Sequence, residues 1–127
     1  MTEHRTPLAR VRGLGSAKTG TAHFWHQRLT AVANVPLTIA FVLIVVALLG
    51  RNHAAAQQIL ASPLVAIVML LFIGSVTYHM RIGMQVIIED YVHDEIPKLV
   101  LVMLNTFFAI AVGLASAYAI FKLSFGV

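Results

Sequence analysis

The run LVAIVMLLFIGSVTYHMRIGMQVII, residues 64–88, decides the fold. Crossing a hydrocarbon core of about 30 Å takes roughly 20 apolar residues in helical form, and this run has enough. Lipid offers the backbone no hydrogen-bond partners, so a spanning segment of this composition is a helix, whose amides are satisfied internally. Two runs of the same character flank it, at about 29–50 and 99–125. Arg51-Asn52-His53 and Ser62-Pro63 bracket the first connection, where residues 54–60 suit a short interfacial helix. Glu89 to Lys98 forms the second, and Pro97 fits the first turn of the third helix, where a missing amide costs little. The expected fold is an all-α membrane protein of three transmembrane helices. Residues 1–20 form an N-terminal arm and residues 21–127 the transmembrane domain.

Composition agrees. Apolar residues make up 59% of the chain and charged residues 11%, against about 25% charged in a soluble domain. The formal charge of +4 does not indicate nucleic acid, because of where the charges lie. Arg5, Arg10, Arg12, Lys18 and Arg28 all precede or open the first apolar run. Basic residues beside a hydrophobic span set its orientation by staying on the cytoplasmic side. With the N-terminus inside, Lys98 joins them, and only Arg51 and Lys122 lie outside; the expected topology is N-in, C-out. The first twenty residues contain no continuous apolar core, so they are expected to be a cytoplasmic arm rather than a secretory signal. The chain has no cysteine, which excludes disulfides, thiolate catalysis and any iron–sulfur cluster ligated by this chain. Redox chemistry here would need histidine to hold the cofactor, or a partner to carry it.

The first helix is expected to begin ahead of its apolar run, with Thr21 as N-cap and Trp25 at the headgroup level. Pro36 is a candidate kink. Ala109, Gly113 and Ala117 place small residues on one stripe of the third helix, where another helix can approach closely.

His79 and Arg81 fall inside the second run. Ionisable groups at membrane depth are expensive and mark function by default. Two readings of His79 stand side by side. One is an interhelical hydrogen bond. The other is an axial haem ligand, with one ring nitrogen on iron and the other held by a neighbour. Gly83, one turn on, would let a flat porphyrin lie against bare backbone. Asp90 follows His79 by eleven residues, nearly three whole turns, so the two share a face about 16 Å apart along the axis. Tyr91 is next, either an interfacial belt residue or a phenol placed to donate to a quinone carbonyl. Arg28 enters the membrane early in the first helix, as a snorkelling headgroup contact or a bound cation. Arg81, about 200° around the helix from His79, points away from any haem face; a lipid phosphate, a partner carboxylate and Glu89 are its candidate partners. His93, Asp94 and Glu95 form a solvated polar cluster or a proton feed. His4, His23, His26 and His53 fall near or outside the membrane boundary.

The run from His79 through Met80-Arg81-Ile82-Gly83 to Asp90-Tyr91-Val92-His93 closely resembles the signature of the hydrophobic membrane anchor subunit of succinate dehydrogenase. The N-terminal Gly13-Leu-Gly-Ser-Ala-Lys18 and His23-Phe-Trp-His-Gln-Arg28-Leu-Thr-Ala31 stretches are similar to its alphaproteobacterial members. The resemblance covers nearly the whole chain. It implies that His79 is an axial ligand to haem b, whose second ligand comes from a companion cytochrome b subunit, so that this chain is half of a heterodimeric haem-binding bundle. It implies that Tyr91 hydrogen-bonds ubiquinone with Asp90 as its neighbour, and that Arg28 lies near the haem propionates. It also implies a flavoprotein carrying FAD and an iron–sulfur subunit docked on the cytoplasmic face of a bacterial inner membrane. Membrane lipids are the remaining partner. A fumarate reductase anchor, and a cofactor-free assembly or transport protein, are the alternatives.

Overall fold

A computed structural model describes residues 5–15 and 20–126. Lys18, named above among the basic residues, and His4, placed above near or outside the membrane boundary, lie outside the described residues, as do Ser16 and Ala17 of the N-terminal motif. Five helices follow one another: α1 Pro7–Val11, α2 Ala22–Leu48, α3 His53–Leu60, α4 Pro63–Tyr91 and α5 Glu95–Phe125. Three of them, α2, α4 and α5, are long and apolar enough to cross a membrane. The protein is an all-α, multi-pass membrane protein.

Each helix outruns its apolar stretch. Twenty-nine residues in α4 rise about 43 Å at 1.5 Å each, more than a hydrocarbon core of about 30 Å. The final turn of α4 therefore continues through Glu89, Asp90 and Tyr91 without any need for apolar side chains. α2 starts directly after Thr21, as expected, although the Thr21 hydroxyl makes no capping bond. Pro36 sits inside α2 and the helix runs on through it. Pro63 occupies the first turn of α4, and Pro97 that of α5.

The junctions are built from short polar residues. Gly50 takes a positive φ of 71° between α2 and α3, a conformation that costs a residue without Cβ nothing. Asn52 then caps α3, its Oδ1 accepting from the Ala55 amide at 2.9 Å. This connection is the short helix expected between the first two spans. In the arm, the Thr6 hydroxyl caps α1 by accepting from the Ala9 amide at 3.2 Å.

α4 is the central element, packed against α2 on one side and α5 on the other. Both contacts are antiparallel. Thr30 meets His79, and further along Phe41 stacks on Phe72 with centroids 4.4 Å apart. On the other side a Cβ built on Gly113 would stand 3.5 Å from the Thr77 hydroxyl, so the small stripe of α5 does seat α4. Ala109 of that stripe is buried. The start of α2, the Tyr91 end of α4 and Lys98 thus share one end of the bundle. α3 packs against α4 and α5 at the other end.

Little is buried within the chain: Leu60, Ala66, Ile82, Ile88, Ala109 and Ile120. Val32, Val35, Ile39, Leu43 and Val46 are all exposed along α2. An apolar surface of this extent belongs against lipid or another subunit.

Candidate functional site

His79 is half-buried on α4, facing α2. Its Nδ1 lies 3.0 Å from the Thr30 hydroxyl oxygen. That hydroxyl has one proton, and it donates to the His26 carbonyl at 2.7 Å, with a longer branch of 3.2 Å to the Gln27 carbonyl. With that proton on a carbonyl, the oxygen can accept from an Nδ1–H of His79, the arrangement in which Nε2 carries the lone pair. Among the described residues no group hydrogen-bonds Nε2. A second bond crosses the same contact, between the Tyr78 hydroxyl and His26 Nδ1 at 2.9 Å. Tyr78 and His79 are neighbours on α4, and His26 and Thr30 are one turn apart on α2. The two bonds together clamp the helices at the level of His79.

The rest of this contact is polar for a membrane helix pair. Gly83, one turn beyond His79, has space for a Cβ 3.6 Å from the Gln27 amide nitrogen. Buried Gln27 Oε1, Asn34 Oδ1 and Ser75 Oγ have no hydrogen-bond partner among the described residues. Gln27, Thr30 and Asn34 stand at i, i+3 and i+7, one face of a helix. That polar stripe was the available sequence signal for Thr30, Gln27 and Tyr78's partner His26, which the motif around His79 left out. His26, expected near the membrane boundary, has its Nδ1 2.9 Å from the hydroxyl of Tyr78, the side chain next to His79.

Arg81 turns the opposite way, as its helical angle requires. Its Nε donates to the Thr106 hydroxyl at 3.2 Å, and its carbonyl accepts from Asn105 Nδ2 at 2.9 Å. Its partner is thus on α5; Glu89 accepts from Gln85 Nε2 at 2.8 Å. Arg28 is exposed, its guanidinium 5.2 Å above the Phe24 ring, a cation–π contact that steadies a planar cation. The chain alone does not bring Arg28 to His79. Tyr91 is the last residue of α4 and 79% exposed. Neither its phenol nor the Asp90 carboxylate has a hydrogen-bond partner among the described residues. Asp94, the N-cap of α5, and Glu95, its first residue, follow and are also exposed. No group of three or more His, Cys, Asp or Glu that could hold a metal ion occurs among the described residues. A metal at His79 would need its remaining ligands from beyond the described residues.

The family model described as succinate dehydrogenase/fumarate reductase transmembrane subunit matches residues 2–121. The chain belongs to that family. Among its similar relatives is the succinate dehydrogenase hydrophobic membrane anchor subunit of Paracoccus denitrificans, 30% identical over 121 residues, 95% of this chain and 93% of the relative. The subunit of the same name from Rickettsia bellii is 28% identical over 119 residues, 94% of this chain and 95% of the relative. The succinate dehydrogenase membrane anchor subunit of Reclinomonas americana is 32% identical over 98 residues, 75% of this chain and 82% of the relative. No solved structure matches the chain significantly.

Proposed function

We propose that this chain is the membrane anchor of a succinate:ubiquinone oxidoreductase, holding one side of a haem b through His79 Nε2 and one wall of a quinone site through Tyr91. The observation that carries the reading is the hydrogen bonding of His79. Nδ1 lies 3.0 Å from the Thr30 hydroxyl, while Nε2 has no hydrogen-bond partner among the described residues. The donor fits iron: a neutral imidazole with its second nitrogen held is the usual protein ligand of haem. Haem b, when bound, supplies a centre that holds and passes one electron. The other axial ligand comes from a companion cytochrome b subunit facing α2 and α4. Arg28, on the exposed side of α2, offers that shared site a cation for the propionates. Gly83 offers a porphyrin a short approach to α4.

The Tyr91 end carries the quinone chemistry. Its phenol is free to donate to a quinone carbonyl as negative charge develops there, and Asp90 adds a carboxylate beside it. Basic residues support an N-in orientation in the bacterial inner membrane, since Arg5, Arg10, Arg12, Arg28 and Lys98 fall at the Tyr91 end or precede it. The flavoprotein with FAD and the iron–sulfur subunit then dock at that end, and electrons arrive where Tyr91 waits. The relatives reported above are all named for succinate dehydrogenase, which favours succinate oxidation over fumarate reduction as the working direction.

Affinity purification of the tagged chain in mild detergent tests the proposal. A flavoprotein, an iron–sulfur protein and a second hydrophobic subunit should co-purify, with a haem b band in the dithionite-reduced spectrum. A colourless preparation without those subunits would favour a cofactor-free assembly or transport role.

A further inference from the structure

We infer that Thr30 is a positioning residue for the haem ligand, selecting the Nε2-ligating tautomer of His79 and setting the electron density its imidazole gives to iron. The inference rests on the reading of His79 as an axial ligand and goes beyond it.

The Thr30 hydroxyl is bonded on both sides. As donor it is fixed on the His26 carbonyl at 2.7 Å, the i−4 position of its own helix. That bond selects the side chain's rotamer and aims the oxygen's lone pairs across the helix contact. As acceptor it lies 3.0 Å from His79 Nδ1. Reversing the tautomer would set the Nδ1 lone pair against an oxygen whose proton is already spent. The His26–Tyr78 pair makes the contrast. The Tyr78 hydroxyl makes no other hydrogen bond among the described residues, so its proton is free to go to His26 Nδ1, at 2.9 Å, or to leave that nitrogen the donor. No tautomer is selected there. The same α2–α4 contact thus holds two histidines, and only His79 has its outward nitrogen fixed as a lone pair.

Two consequences reach the iron. The ring plane of His79 is fixed by a bond to a different helix, so its orientation does not depend on α4 alone. Accepting from Nδ1–H also makes the ring more electron-rich, which favours the oxidised metal. A hydroxyl does this more weakly than a carboxylate would.

The test uses the complete detergent-solubilised complex carrying Thr30→Val, which keeps the shape and removes the acceptor, and Thr30→Ser, which restores the hydroxyl. Thr30→Val is expected to bind haem about tenfold or more weakly, as loss of such a partner typically does, and to shift the haem midpoint potential to more positive values. Thr30→Ser should match the wild type in both. A Thr30→Val complex with wild-type potential, haem retention and low-spin electron paramagnetic resonance spectrum would overturn the inference, while haem loss in His79→Ala would leave the ligation intact. If His79→Ala keeps its haem unchanged, the ligation fails and the role of Thr30 with it. Should Thr30→Val not assemble, the quadrupole coupling of His79 Nδ1 in the wild-type and Thr30→Ser complexes decides. A coupling typical of a hydrogen-bonded N–H supports the inference, and that of an N–H without an acceptor overturns it.

Discussion

A histidine in a lipid-embedded helix has to satisfy one nitrogen within the protein, and the geometry at His79 shows which one. Thr30 takes Nδ1, so whatever else binds this ring binds Nε2. Arg81 lies only two residues on, yet it is engaged with Thr106 on the other side of α4; a single helix turn thereby separates a ligand face from a packing face. At the end of the same helix the Tyr91 phenol has no hydrogen-bond partner among the described residues. Tyr91→Phe should therefore lower quinone reductase activity by about a hundredfold, the usual cost of one donor to a developing oxyanion. Succinate oxidation assayed with a soluble artificial acceptor should stay near wild type, because that reaction does not pass through this end of α4. Equal loss in both assays would point to failed assembly and count against a quinone contact.

At the scale of elements, α4 is held differently on its two sides. Toward α2 the contact holds Gln27, Thr30 and His79; toward α5 it joins close approach at Gly113 and Ala109 to the hydrogen bonds of Arg81 with Thr106 and Asn105. A Cβ at Gly113 meets Thr77 at ordinary van der Waals distance, so Gly113→Ala is tolerated. Gly113→Leu forces the helices apart, and about 1–3 kcal/mol of destabilisation is expected from overpacking, measured as a lowered thermal midpoint in detergent. An unchanged midpoint would mean that α4 and α5 do not approach at Gly113. The three spans, the interfacial helix and the small-residue stripe were legible because each is written in a local pattern: apolar length, bracketing polar residues, spacing of four. His79, Asp90 and Tyr91 were legible as a motif within one helix. The Thr30 and His26 bonds were not, because they depend on the register of α2 against α4, a non-local quantity that no single run of residues records. Arg81 lay between these cases. Its direction followed from helical angle alone, whereas its partner Thr106 required knowing which helix packs there.

Among the described residues, six hydrophobic side chains are buried and most of three long apolar helices is bare. Lipid can cover much of that surface, and the proposed companion subunit would cover part of the rest. The proposed orientation rests on the distribution of basic residues. The chain's lack of cysteine makes the topology directly testable. In intact cells, Arg51→Cys should react with a membrane-impermeant maleimide, whereas Lys98→Cys should react only after the inner membrane is opened; the reverse pattern would turn the protein over and detach Tyr91 from the side where electrons arrive. The central claim is that iron is held at Nε2 of His79, and the dithionite-reduced absorbance spectrum of the purified complex carrying His79→Ala tests it most directly, with His26→Ala as the neighbouring control. The expected result is loss or gross alteration of the haem b band in His79→Ala and its retention in His26→Ala. An unaltered band in His79→Ala would contradict the assignment.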